Sequence, residues 1–304
     1  MTRILVTGGA GRLGRSVVSV LHELGHDVVS VDLVRDPHCS TEQLVADLRD
    51  STATADLVDR IRPDAIVHLA AIAVPFSAPD AEIFATNTSL FFSVLDAALR
   101  SSVRAVLVSS SPTVIGYGSP SGWSPRYLPL DEQHPREPWN GYAQSKAAVE
   151  DLVAMTARQH ADRITVGAFR PCFVVAPEEW RGASTQQGHT ITERLDDPAL
   201  SAIALFNYVD ARDVGDFVDC WVSAPASTVN GKTYFVGAAD SLVREPVGEA
   251  LARLRPETAQ YAAALAPDAA VFSSALARDE LGWVPRRSWR SELTVDRSPQ
   301  EATT

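Results

Sequence analysis

Eight residues near the start of the chain, Thr7-Gly8-Gly9-Ala10-Gly11-Arg12-Leu13-Gly14, restrict its fold more than any other stretch. They lie between an apolar run, Ile4-Leu5-Val6, and a helix-like segment from about Leu13 to Leu24. A strand that ends in glycines and turns directly into a helix leaves backbone N–H groups at the positive end of the helix dipole, where a pyrophosphate can dock. Gly8 allows the tight turn, Gly11 lets the backbone approach the phosphates without a Cβ, and Gly14 lets helix and strand pack closely. Arg12 and Leu13 complete this candidate phosphate site. Glycines also cluster in ordinary turns, so the context has to decide. The next apolar run, Asp27-Val28-Val29-Ser30-Val31-Asp32, ends in a carboxylate about 20 positions beyond the middle glycine, where an acid binds the ribose 2′-hydroxyl of an adenine dinucleotide. Asp32 would also repel a 2′-phosphate, which favours NAD over NADP. Arg12 and Arg35 are the residues able to offset that repulsion, and the bland alternative for Asp32 is a turn cap.

Composition narrows the class. The 304 residues suit two domains, or one large α/β domain with a small second lobe. Hydrophobic residues make up 45% and charged residues 21%, ordinary globular usage, and the net charge of −11 argues against nucleic acid as a partner. Cys39, Cys172 and Cys220 are odd in number and far apart, without the paired spacing of a zinc site, so no metal is expected and a reducing cytoplasm is the natural location. The chain enters its first strand at once, and no apolar run reaches the ~18 residues of a spanning helix, so neither a targeting segment nor a membrane association is expected.

Beyond Asp32 the chain alternates short apolar and helical segments, the pattern of βαβ units around a parallel sheet. Asp47 and Leu48 follow the third strand position, where they either flank the adenine or, in the case of Asp47, cap the next helix. Ala65 to Ala71 reads as a fourth strand running into small residues that let a cofactor lie near the backbone. His68 within it reads as a core histidine, and no chemistry is assigned to it. Residues 81–100 have helical periodicity, with Ile83, Phe84, Asn87, Phe91, Val94, Leu95 and Ala98 on the expected buried side. A fifth strand from Val103 delivers Ser109, Ser110 and Ser111 at its C-terminal end, where ligands of open α/β sheets gather. After a loop from Pro112 to Trp139, Tyr142-Ala143-Gln144-Ser145-Lys146 opens a helix that places Tyr142 and Lys146 one turn apart on one face. A lysine ammonium beside a phenol favours the phenolate, lowering the tyrosine pKa from about 10 toward the range useful for proton transfer. A serine hydroxyl from the neighbouring strand can then hold a substrate oxygen.

Taken together, these features resemble the extended short-chain dehydrogenase/reductases, also called NAD-dependent epimerase/dehydratases. The resemblance covers nearly the whole chain: the loop Thr7 to Gly14, Asp32, His68-Leu69-Ala70-Ala71, Asn87, Ser110-Ser111, the Tyr142/Lys146 pair, Arg170-Pro171 and Tyr208 to Val214. It implies a Rossmann-type doubly wound parallel sheet with a small C-terminal α/β substrate lobe. Residues 1–170 would form the NAD-binding domain and 171–304 mainly the substrate lobe, with 201–225 returning to the first. It implies Tyr142 as acid/base, Lys146 as its pKa modulator and a ribose ligand, and Ser111 as the hydroxyl that polarises the substrate. Leu69, Ala70, Ala71, Asn87 and Pro171 join the expected cofactor contacts. A homodimer through the helices at about 81–100 and 142–160 is implied in the same way.

Departures from the family pattern narrow the chemistry. Pro112 and Thr113 stand where sugar dehydratases carry an Asp-Glu pair, which counts against dehydration. Phe206-Asn207 replace the Arg-Asp pair of nucleotide-sugar members, favouring a smaller or less charged substrate. Val114-Ile115-Gly116-Tyr117 is similar to the uronate dehydrogenases, although their Asn-His pair after the serine is absent. The expectation is an NAD-dependent enzyme interconverting a secondary alcohol and a ketone on a sugar-like molecule, with an epimerase that retains its cofactor, or a non-catalytic NAD sensor, as alternatives. Beyond Phe169 the polar stretch Pro177 to Leu200, with Trp180, Arg181, Gln186, Gln187 and His189, reads as a substrate rim together with Trp123, Tyr127 and Trp139, or as lobe packing. A strand at Thr233 to Val236 and a helix from Ser273 to Leu281 are read in the second lobe, and the polar tail after Arg290 as loose.

Overall fold

Arg3–Thr7, Ala65–His68 and Ala105–Ser109 each have an apolar centre and are buried at nearly every position, the pattern of strands covered on both faces. In the computed structural model, which describes residues 1–293, they are the middle of a seven-stranded sheet in which every neighbouring pair is parallel. Its strands are β1 (Arg3–Thr7), β2 (Asp27–Asp32), β3 (Glu42–Val45), β4 (Ala65–His68), β5 (Ala105–Ser109), β6 (Thr165–Pro171) and a late strand, Thr233–Val236. The spatial order runs β3-β2-β1-β4-β5-β6 and then the late strand. The direction of winding reverses between β1 and β4, and the crevice at the C-terminal ends of these two strands is where a doubly wound sheet binds its ligand.

Alternation along the strands assigns the two cores. Ile4 and Val6 of β1 point to the side of α1 (Arg12–Glu23), among Val17, Leu21, Phe217 and Trp221. Leu5 points the other way, to a core shared with α2 (Ser51–Ile61), α3 (Asp80–Arg100) and α4 (Gly141–Gln159) through Leu57, Phe91 and Val153. Full burial of one such aliphatic or aromatic side chain contributes about 1.5–3 kcal/mol, and dozens on each face hold the layers together.

The smaller lobe is built around two short parallel strands, β7 (Val174–Val175) and β8 (Val209–Asp210). Between them the stretch read as a polar rim forms three short helices, α5 (Pro177–Trp180), α6 (Ile191–Asp196) and α7 (Ala199–Ala202). The helix after β8, α8 (Ala211–Ser223), packs on α1 of the main sheet. Thr233–Val236, designated β9, lies in the main sheet as the edge strand beside β6 and not in the second lobe, because its apolar residues fill the face under Phe169 and Phe217. The helix read from Ser273 starts at Ala275 and stops at Gly282, whose φ of 67° ends it in the left-handed region. On α3, Phe84 faces outward and Leu90 takes a place in the core instead, the helix being rotated to bring Ile83, Asn87 and Leu90 inward. Residues 289–292 form a short helical turn tied down by Arg290 to Asp240 and Asp268, so this part of the tail is docked. The rest of the tail, from 294 on, lies outside the described residues.

Candidate active site

A cavity of about 910 Å³ runs along the C-terminal ends of β1, β2, β4, β5 and β6. That volume lies toward the upper end of single small-molecule sites, roughly 300–1,000 Å³, as room for a dinucleotide and a small second ligand requires. Its floor is the glycine loop. Gly8 takes a φ of 71°, open to glycine at little cost, and a Cβ there would meet the Ala70 backbone nitrogen at 2.7 Å. A Cβ at Gly14 would collide with the Gly8 carbonyl oxygen, so helix and loop close on each other only with glycine at this position. The helix α1 has no side-chain cap, and Gly11, Arg12, Leu13 and Gly14 line the cavity with its N-terminal turn. These first-turn N–H groups and the helix dipole form a cradle that fits a pyrophosphate.

At the adenine end, Asp32 accepts hydrogen bonds from the backbone N–H groups of Ala10, at 3.0 Å, and Leu33, at 2.6 Å. Its carboxylate is thereby fixed against the glycine loop while it lines the cavity. Asp47 and Leu48 line the same end. The cap of α2 is Asp50, which accepts from Thr52 and Ala53, and Asp47 instead grips Arg49, whose guanidinium holds the Asp47 carboxyl down to about 2. Arg12 is not free for a 2′-phosphate: its guanidinium pairs with buried Glu179 at 2.5 Å and donates to the Val174 carbonyl at 3.1 Å. Leu69, Ala70 and Ala71 follow β4 along the wall. Asn87 stands one layer behind, clasping the backbone of Ile72 through both its amide oxygen and nitrogen and donating to Ser145 at 3.1 Å, so it shapes the wall without facing the cavity. His68 is buried, bonded through Nδ1 to Thr7 at 2.8 Å, and pushed down to about 3 by burial and by the Lys146 charge, so it is a neutral core group.

Ser111, Tyr142 and Lys146 converge on the other end, which Pro171 also lines. Asn140 caps α4 by accepting from the Ala143 N–H at 2.9 Å, which sets Tyr142 in the first turn, and Lys146 follows one turn later. The three serines after β5 divide the work. Ser109 accepts the Lys146 ammonium on its carbonyl at 2.8 Å, and Ser110 donates to Glu150 at 2.6 Å. Ser111 caps a short turn over Pro112–Ile115, its Oγ accepting from the Thr113 N–H at 3.2 Å and the Thr113 hydroxyl at 2.9 Å. Both Thr113 groups donate, so the Ser111 proton remains for another oxygen.

Burial works against the lowering of the tyrosine that the spacing suggests. Burial raises the Tyr142 hydroxyl above the ordinary phenol range, and a hydrogen bond with Ser111 offsets only part of that rise. Lys146 is itself pushed down to about 8 by burial, and its Nζ lies 5.8 Å from the tyrosine ring centroid. Desolvation is the largest influence on both groups.

Of the expected substrate rim, Gln186, Gln187 and Trp139 line the cavity. Trp180 is buried with its indole N–H on Asp210 at 2.6 Å, Trp123 donates inward to the Ile115 carbonyl at 2.9 Å, and Tyr127 is bonded to Asp131 at 2.6 Å. Arg181 and His189 lie on the exposed surface away from the cavity wall. Phe173 lies on this wall within the Arg170 to Ala176 stretch expected to pass the nicotinamide end, and sequence reasoning missed Phe76 and Ile203 and gave Tyr117 no contact. Phe76 and Ile203 belong to no periodic segment or motif that points at the site, whereas Tyr117 ends the Val114 to Tyr117 motif.

Residues 4–237 match the model of the NAD dependent epimerase/dehydratase family. A UDP-glucose 4-epimerase of Azospirillum brasilense is 27% identical over 99% of this chain and 93% of its own length. A uronate dehydrogenase of Pseudomonas syringae pv. tomato is 31% identical over 50% of this chain and 53% of its own. Among solved structures, a short-chain dehydrogenase/reductase superfamily protein from Agrobacterium tumefaciens with bound NAD superposes with a TM-score of 0.70 at 24% identity, over 96% of this chain and 95% of its own.

Proposed function

The chain belongs to the NAD-dependent epimerase/dehydratase family and is an NAD-dependent enzyme; from that premise we propose that it transfers hydride between NAD and a secondary alcohol or ketone of a sugar-like small molecule. The observation that carries the reading is the convergence of Ser111, Tyr142 and Lys146 on one end of a cavity whose other end is the glycine cradle and Asp32. Gly8, Gly11, Arg12, Leu13 and Gly14 hold the pyrophosphate in this reading, with Arg12 acting through its backbone. Asp32, Asp47 and Leu48 surround the adenosine, and Leu69, Ala70, Ala71 and Pro171 flank the path to the nicotinamide, with Asn87 supporting the wall. Bound NAD supplies the hydride acceptor in the oxidative direction. Ser111 turns its hydroxyl hydrogen bond from Tyr142 to the substrate oxygen, and deprotonated Tyr142 takes the hydroxyl proton. Lys146 keeps a hydrogen-bond donor between the Ser109 carbonyl and the cofactor ribose. Burial that raises the phenol pKa keeps Tyr142 protonated to higher pH, so oxidation, which needs its deprotonated form, gains as the pH rises.

The second reading is a sugar epimerase that retains NADH and returns hydride to the other face of a transient ketone, favoured by the near full-length likeness to the Azospirillum protein. The position before Tyr208 tips the choice toward net oxidoreduction. Phe206, fully buried, stands where the phosphate clamp would carry its Arg, and Asn207 beside it accepts from the Phe173 N–H at 2.8 Å and donates to the Ala204 carbonyl, a backbone brace. A substrate panel followed by NADH absorbance, with Tyr142→Phe as control, separates the readings. Net NADH formation abolished in the variant supports the dehydrogenase, and isomerised sugar without net NADH supports the epimerase. No turnover together with unaltered biological activity of Tyr142→Phe leaves an NAD sensor.

The same proposal assigns the substrate side mainly to residues 171–304, places the enzyme in the cytoplasm, and makes it a homodimer through α3 and α4. Phe84 and Phe92, two turns apart on α3, and Met155 on α4 are exposed apolar groups that pairing of these helices would cover. A monomer in sedimentation, at micromolar protein, would remove the dimer.

A further inference from the structure

Three cationic side chains line the cavity among the described residues, and each is engaged by a protein group or, in the reading above, by the cofactor. Arg12 is paired with Glu179 and the Val174 carbonyl. Arg49 lies at the adenine end in a pair with Asp47 at 2.5 Å. Lys146, beside Tyr142, gives one ammonium donor to the Ser109 carbonyl and, in the reading above, its remaining donors to the cofactor ribose. A fourth cation, buried Arg194, lies behind the wall with each guanidinium nitrogen engaged: Nε on Thr185 at 3.3 Å, one terminal nitrogen on the Leu200 carbonyl at 2.8 Å, the other on the Gln187 amide oxygen at 2.6 Å. Its face covers the Phe173 ring at 4.8 Å. A buried carboxylate or diphosphate without a cationic partner carries a desolvation penalty that neutral donors repay poorly.

What this end does offer is aromatic surface and an oriented amide. Phe76 and Trp139 both line the cavity, with ring centroids 5.6 Å apart. Phe76 is 65% exposed and its φ is 64°, a left-handed backbone unusual for a bulky residue. An exposed aromatic ring held in a strained conformation gains nothing for the core, and such strain collects at ligand clamps. Because Arg194 fixes the amide oxygen of Gln187, the two N–H donors of that amide remain for a ligand oxygen.

We infer that the substrate is an uncharged cyclic polyol of monosaccharide size, its C–H face stacked on Phe76 and Trp139 and a ring hydroxyl accepting from Gln187, and that uronates and nucleoside-diphosphate sugars are excluded. The inference rests on the oxidoreductase reading above and supplies its substrate class. In this arrangement Arg194 is a positioning residue that acts through Gln187.

The test is equilibrium dialysis of galactose, galacturonate and UDP-galactose against the NAD-saturated protein, with NADH formation followed in parallel. Galactose should bind at least tenfold more tightly than either charged relative. Phe76→Ala and Trp139→Ala should each weaken galactose at least tenfold while the NAD dissociation constant stays within about twofold. Arg194→Lys should raise KM for galactose with kcat little changed. Equal or tighter binding of a charged relative overturns the inference, as does no binding of any of the three, or galactose affinity indifferent to both aromatic variants. Galactose bound as predicted but never oxidised, with Tyr142→Phe unaltered in every readout, removes the oxidoreductase reading and leaves the substrate class standing.

Discussion

Replacing Glu150 with alanine should remove about 3–5 kcal/mol of stability. Its carboxylate accepts from Ser110 at 2.6 Å, from Arg170 Nε at 2.7 Å and a terminal Arg170 nitrogen at 2.8 Å, and from Arg136 at 3.3 Å. The Glu150 and Arg170 side chains are only 5% and 3% exposed. Arg170 Nη1 is already buried without a partner, so loss of the carboxylate would strand the whole guanidinium inside the protein. Against a total stability of roughly 5–15 kcal/mol, the loss is a third or more. The energy belongs to the stranded charge and not to the pair as such, so Glu150→Leu combined with Arg170→Met should cost far less than Glu150→Ala alone. Urea unfolding followed by tryptophan fluorescence gives both numbers. Because Ser110 precedes Ser111, and Glu150 lies one turn beyond Lys146 on α4, the single variant should also lower kcat. A Glu150→Ala midpoint within about 1 kcal/mol of the parent, or a double variant as unstable as the single, would refute the reasoning.

Gly14→Ala would force the glycine loop away from α1, and NADH fluorescence titration should show at least a tenfold loss of affinity, about 1.4 kcal/mol. His68, pushed down to about 3 by burial, binds a proton in the unfolded chain before it does so in the folded one. Its contribution is therefore complete above about pH 6.5 and lost as the pH falls toward 3, about 2 kcal/mol of it by pH 5, and His68→Asn should flatten that part of the acid unfolding curve. Lys146, pushed down to about 8, acts at the other end: its burial penalty is present below pH 8 and fades as the pH rises toward 10.5, so Lys146→Met should be the more stable protein in urea at pH 7 while losing activity. Alcohol oxidation should accelerate with rising pH as Tyr142 ionises, a dependence that Tyr142→Phe abolishes along with the activity; a flat profile in the parent would separate the tyrosine from proton transfer.

The sheet and the chemical end of the cavity were legible in the sequence because both rest on short-range spacing. A strand, glycines and a helix in immediate succession permit few conformations, a carboxylate at a strand end lies at the sheet's C-terminal edge whatever surrounds it, and residues four apart on a helix share a face. Tyr142, Lys146, Asp32 and the loop needed nothing more. Whatever depends on a distant partner was decided only in the folded chain. Arg12 is neutralised by Glu179, Asn87 clasps Ile72, Trp180 turns inward to Asp210, and Thr233–Val236 joins the main sheet because an open edge beside β6 and an uncovered apolar face await it. The pKa balance of Tyr142 belongs here too. Spacing places a lysine one turn away, but desolvation depends on everything packed around the pair, and the carbonyl of Ser109, from another strand, takes the ammonium. Local patterns constrain dihedral angles, whereas charge neutralisation and burial are properties of the closed tertiary shell, and that shell forms only when the layers meet.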